Sequence, residues 1–87
     1  MAQKESSEKP IGHISHFFSK LNVGIIELTE ALQVGETVHI KGHTTDFVQA
    51  VNSLQIEHLQ VEQAKAGDAV GIVVDQHVRE GDVVYRA

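Results

Sequence analysis

The chain has 87 residues, 41% of them hydrophobic, with 12 acids against 7 bases and a net charge of −5. That length makes one domain, and so short a chain buries only roughly 60% of the surface it exposes when unfolded, leaving room for one core. No apolar run nears the ~18 residues of a membrane-spanning helix, the lack of cysteine excludes disulfides and thiolate chemistry, and the lack of a Lys or Arg run after residue 10 disfavours non-specific nucleic-acid binding.

Residues 1–9, MAQKESSEK, are polar, without aromatic or β-branched side chains. They cannot bury enough surface to offset their ordering entropy. A disordered tail is expected over 1–10, closed by Pro10, with a single folded domain over 11–87. The start of the chain shows no charged-then-apolar export pattern, so a cytoplasmic protein is expected.

The folded part reads as strands. "IGHISHFF" (11–18) mixes β-branched and aromatic residues with polar ones, and "SKLN" follows as a turn that suits Asn22. "VGIIEL" (23–28) is nearly continuous in apolar character. "TEALQVGE" leads to "TVHIKG", where Val38 and Ile40 alternate with polar residues in the period of a half-buried strand. After the loop "HTTD", "FVQAVNSLQIEH" reads as one longer strand. Its apolar phase slips between Val51 and Leu54, which predicts a β-bulge near Asn52 and Ser53. "AVGIVVD" and "VVYRA" complete six strands. Helical readings of "TEALQV" and "HLQVEQAKA" compete poorly, because each lies between strand signals and is bounded by glycine.

Three strands start on one phrase: Gly35-Glu36, Gly67-Asp68 and Gly81-Asp82, with Val38, Val70 and Val84 following. Glycine takes the positive-φ place of a tight turn, the acid can bond nearby amides, and the valine is expected to enter the core. The unequal spacing rules out a solenoid. Short strands with sharp corners and no long helix predict a small closed or nearly closed barrel, which removes sheet edges.

Six histidines raise the question of metal binding. His13 and His16 are three apart and face opposite sides unless a bulge intervenes. No His-x-His pair exists, and solvated histidines are the expectation. Ser15 adjoins His16, but strand neighbours point apart, so no nucleophilic triad is expected. No pair among the scattered acids stands out as a catalytic couple. The 41–47 loop offers donors at Lys41, His43, Thr44 and Thr45 and a ring at Phe47, a candidate contact for an anion or RNA backbone.

The set "VGETVHIKG", "AGDAVGI" and "EGDVV", in that order, resembles the second domain of elongation factor Tu and its relatives, and small free-standing translation-factor-like proteins. The resemblance covers roughly residues 11–87. It implies an all-β, six-stranded Greek-key barrel. It also implies a partner face near Gln55 and His58. Gln55 stands where that family has an acid near the terminal nucleotide of tRNA, and His58 lies nearest to an arginine of its GTPase interface. Asp75 stands where a basic residue is common. The chain has no phosphate-binding G-x-x-x-x-G-K-[ST] loop, so no GTP hydrolysis is expected. The resulting expectation is a non-enzymatic binding module without cofactor, docking on a protein or ribonucleoprotein through Gln55, His58, Lys41, His43, Thr44, Thr45 and Phe47. Binding of a tRNA end is the alternative, and a His-dependent metalloenzyme the third. The oligomeric state stays open.

Overall fold

The computed structural model describes residues 9–87. Within them the chain forms ten strands and no helix: β1 Lys9–Phe18, β2 Val23–Leu28, β3 Leu32–Gln33, β4 Thr37–Lys41, β5 Asp46–Ala50, β6 Leu54–Ile56, β7 Leu59–Val61, β8 Gln63–Ala64, β9 Ala69–Val73 and β10 Val83–Arg86. Eight make one sheet in the order β5-β4-β10-β1-β2-β9-β6-β7, and β3 pairs with β8 separately. The expected tail over 1–8 lies outside the described residues. Lys9 and Pro10 belong to β1, opposite Arg86 and Tyr85.

The all-β reading holds, but the sheet is not closed into a barrel by its ladders. β5 and β7 are its two end strands. The expected long strand over 47–58 is two strands, not one strand with a bulge. Its phase slip marks the point where the chain leaves β4 at Ala50 and rejoins the sheet beside β9 at Gln55. Register shifts occur instead in β1, between Pro10 and Gly12 and between Ile14 and His16. The second shift lets His13 and His16 both stand exposed, although they are three apart.

The three corners share one geometry. Gly35, Gly67 and Gly81 have φ of 100°, 95° and 94°, the third position of a type II turn that disfavours any Cβ. In each, the acid after glycine donates its backbone N–H to the carbonyl three residues earlier: Glu36 to Gln33, Asp68 to Lys65, Asp82 to Arg79. Each carboxylate also accepts the backbone N–H of that same earlier residue, at 3.2, 3.0 and 2.9 Å. The turn then delivers Val38, Val70 and Val84 inward, all fully buried. Each contributes about 2 kcal/mol by leaving water. They pack with Ile11, Ile14, Ile26, Ile40 and Leu54 in the single core.

Gln49 points inward from β5 and is buried. Its side-chain amide donates to the Val73 carbonyl at 3.0 Å, and its side-chain oxygen accepts the Asp75 backbone N–H at 2.8 Å. One carboxamide thus spans the gap from an end strand to the far end of β9.

Candidate functional site

Among the grooves on the outside of the sheet, two concern the expected site and its surroundings. The first is apolar and has a volume of about 460 Å³. β1 ends at Phe18, and the chain turns through residues 19–22, with Leu21 N–H donating to the Phe18 carbonyl at 3.1 Å. Asn22 takes the left-handed conformation at φ 56°, as expected of asparagine in a turn. β2 then buries Gly24, Ile26 and Leu28 inward, while Val23 and Ile25 face out, half-buried. Across the ladder Ile25 lies opposite Gly71 of β9, and Gly71 lies opposite Gln55 of β6. A Cβ at 71 would press on Val23 Cγ1 at 3.3 Å and Ile25 Cδ1 at 3.4 Å. The absence of one leaves the groove its floor. Leu21 is 68% exposed and Phe18 44%, an apolar rim that water covers at a cost.

His58 and Gln55 line this groove together. The turn holding His58 joins β6 to β7 through Glu57 and His58 alone, at φ 51° and 69°. Two consecutive left-handed residues form a type I′ hairpin turn, for which Asn-Gly is the usual choice. Backbone strain of this kind concentrates at functional positions.

The 41–47 loop lies elsewhere. β4 and β6 are separated in the sheet by β10, β1, β2 and β9. Thr45 and Phe47 are buried, Phe47 in the core. Lys41, His43 and Thr44 are exposed. Thr44 Oγ1 accepts a hydrogen bond from Arg79 Nε at 3.0 Å, and Gly42 packs against the Asp82 carboxylate. The loop is thereby braced on the third corner.

Three histidines meet carboxylates: His13 with Glu27 at 3.7 Å, His16 with Glu80 at 3.3 Å, and His39 with Asp46 at 2.5 Å. His77 packs its ring on Phe17, and His16 on Phe18. The His39 hydrogen bond holds the Asp46 carboxyl below its usual range, helped by the charges of His39 and Lys41. Ser15 donates to the Ile25 carbonyl at 3.4 Å. Among the described residues no group of three or more His, Asp or Glu is arranged to hold a metal.

The second groove is polar and has a volume of about 810 Å³, between β7 and the segments at Gln33 and Asn52. Neither groove was anticipated as such, although Gln55 and His58 of the expected partner face line the apolar one. The apolar one had a signal in "VGIIEL", a strand apolar on both faces, with exposed Leu21 just before it.

No family model matches the chain. Among curated proteins, it is 46% identical over 76 residues to an uncharacterised protease of Methanocaldococcus jannaschii. It is 33% identical over 78 residues to a collagenase of Porphyromonas gingivalis. The likeness is to a part of proteases. The aligned region is 86% of this chain but 19% of the archaeal protein, and 87% against 22% for the collagenase. The chain therefore spans about a fifth of the length of these relatives. In fold it matches the C-terminal domain of a Geobacillus thermoleovorans protein described as a U32 peptidase. The TM-score is 0.85 at 13% identity, covering 94% of each chain. These findings overturn the translation-factor resemblance, and with it the binding module of that type and the tRNA alternative. They also overturn the expectation of a non-enzymatic protein, since the relatives are named as proteases. The misleading signal was the Gly-acid corner, which serves backbone geometry and says nothing of a site.

Proposed function

We propose that the chain serves peptidase function as a C-terminal-type domain of a U32-like protease. The observation that carries this is the 46% identity to the archaeal protease along nearly the whole folded region. The apolar groove is the face through which it docks on the remainder of such an enzyme. In the relatives this region is accompanied by the other four-fifths or so of the protein, which supplies an occupant for exposed Leu21 and Phe18. Gln55 and His58 are the polar contacts at its border. We regard the curled sheet as an incomplete barrel whose seam is bridged by Gln49, and we place the protein in the cytoplasm. In keeping with that setting, the chain has no cysteine, and no helix among the described residues is long and apolar enough to cross a membrane.

The test is reconstitution. A U32-type protease lacking its matching C-terminal fifth is mixed with this chain, and both association and gelatin hydrolysis are measured. Association is expected, with hydrolysis restored. Leu21→Asp, on an exposed turn, is expected to weaken association at least tenfold without loss of fold. No association at concentrations of ~100 µM, a Kd range worth only about 5–6 kcal/mol, would reject the proposal.

A further inference from the structure

We propose that the polar groove beside β7 holds an extended, uncharged peptide segment, added to the sheet as a strand along β7. As a reading of what the domain offers a protein substrate, this rests on the protease assignment above.

The backbone supplies the first argument. In a two-residue hairpin the residues flanking the turn form a hydrogen-bonded pair, here Ile56 with Leu59. The next pair, Gln55 with Gln60, must then direct its N–H and C=O groups away from each other. Gln55 directs its groups toward Gly71 of β9, where pairing is seen. Gln60 therefore directs its own toward the open side of β7, the last strand of the sheet, where the next outward carbonyl, that of Glu62, is already taken by Val34 N–H and closes the edge beyond Gln60. An extended peptide is the natural complement of such an edge.

The side chains supply the second. Gln33, Asn52, Ser53, Gln60 and Gln63 line the groove. Among the described residues none of these side chains is engaged in a hydrogen bond. A carboxamide both donates and accepts, which is what a peptide group requires on its two sides. Glu62 is the one charged residue lining the groove, so an acidic segment is disfavoured. Val34 and Val61 offer apolar contact for every second side chain of the guest.

The wall opposite β7 is fixed. Gly35 N–H donates to the Val51 carbonyl at 2.9 Å, Val51 N–H to the Glu36 carbonyl at 2.8 Å, and Val34 N–H to the Glu62 carbonyl at 3.0 Å. Carboxamides and a hydroxyl would also suit a glycan. The free backbone edge favours peptide, and the groove lining has no aromatic ring on which a sugar could stack.

The test titrates the isotope-labelled chain with a blocked nonapeptide of Ser-Val-Thr triplets and follows backbone amides by NMR. Shifts are expected at Gln60, Val61, Gln33 and Val34, with slowed hydrogen exchange at Gln60. Gln60→Pro removes the outward N–H and is expected to weaken binding about tenfold. Gln63→Ala, which leaves the hairpin intact, is expected to weaken it about threefold. The same nonapeptide with Asp in place of Ser is expected to bind less tightly. Absence of shifts up to the solubility limit overturns the proposal. So do the same shifts with dextran oligosaccharide, shifts confined to the Leu21 and Ile25 face, or unchanged binding by both variants. The protease is not needed for this measurement, so its outcome is separate from reconstitution.

Discussion

Gly42 has no positive φ to explain it; space does. A Cβ there would overlap the carboxylate of Asp82, and Asp82 is buried and already accepts the Arg79 N–H at 2.9 Å. Gly42→Ala must displace either the carboxylate or the loop. It is expected to cost about 2 kcal/mol, read as a lower urea midpoint with an unchanged slope. Asp46 shows a different residue-scale effect. Its hydrogen bond with His39 ties β4 to β5 and lowers its pKa below the ordinary carboxylate value. A carboxylate whose folded value is depressed stabilises the fold above its unfolded value, and that contribution fades as pH falls through the folded value. Asp46→Asn should therefore lower stability at neutral pH and flatten the decline below about pH 4. A wild-type curve and a variant curve that stay parallel through the acid range would contradict this.

At the scale of elements, the β6–β7 hairpin is the place where local preference and structure disagree. Glu57 and His58 both hold left-handed angles, at a cost on the order of 1 kcal/mol or more. Replacing them together, Glu57→Asn with His58→Gly, should raise stability by about 1 kcal/mol. That corresponds to a melting temperature higher by roughly 5 °C. Because Glu57 and His58 border the apolar groove, the same variant should dock less well in the reconstitution. A gain in docking would mean that the turn is strained for another reason. The corners are the opposite case. Their glycines and acids were legible in sequence because they rest on bonds within three residues, and their inward valines because strand alternation marks them. The hairpin was not legible, since nothing local in "QIEHLQ" favours two left-handed residues.

For the whole molecule, the all-β class could be read from alternation at Val38, Ile40 and their counterparts. Closure could not. Whether strand ends meet depends on partners far apart in sequence; here the ladders leave the sheet open, and Gln49, in a stretch that reads only as strand, links β5 to the end of β9. The site was legible only in part. Its apolar wall was signalled by "VGIIEL" and two of its border residues, Gln55 and His58, were expected as a partner face, but its floor was not, because Gly71 leaves the groove open by lacking atoms. Gln49→Ala leaves the Val73 carbonyl and the Asp75 N–H without their partner. It is expected to cost about 2 kcal/mol and to speed hydrogen exchange at Asp75 before exchange within the β1–β2 ladder. Uniform acceleration along the chain would contradict a local role. Under pressure, heat or pulling, the span between β5 and the end of β9, hydrogen-bonded through one carboxamide, is expected to part before the β4–β5 and β1–β2 ladders lose their register.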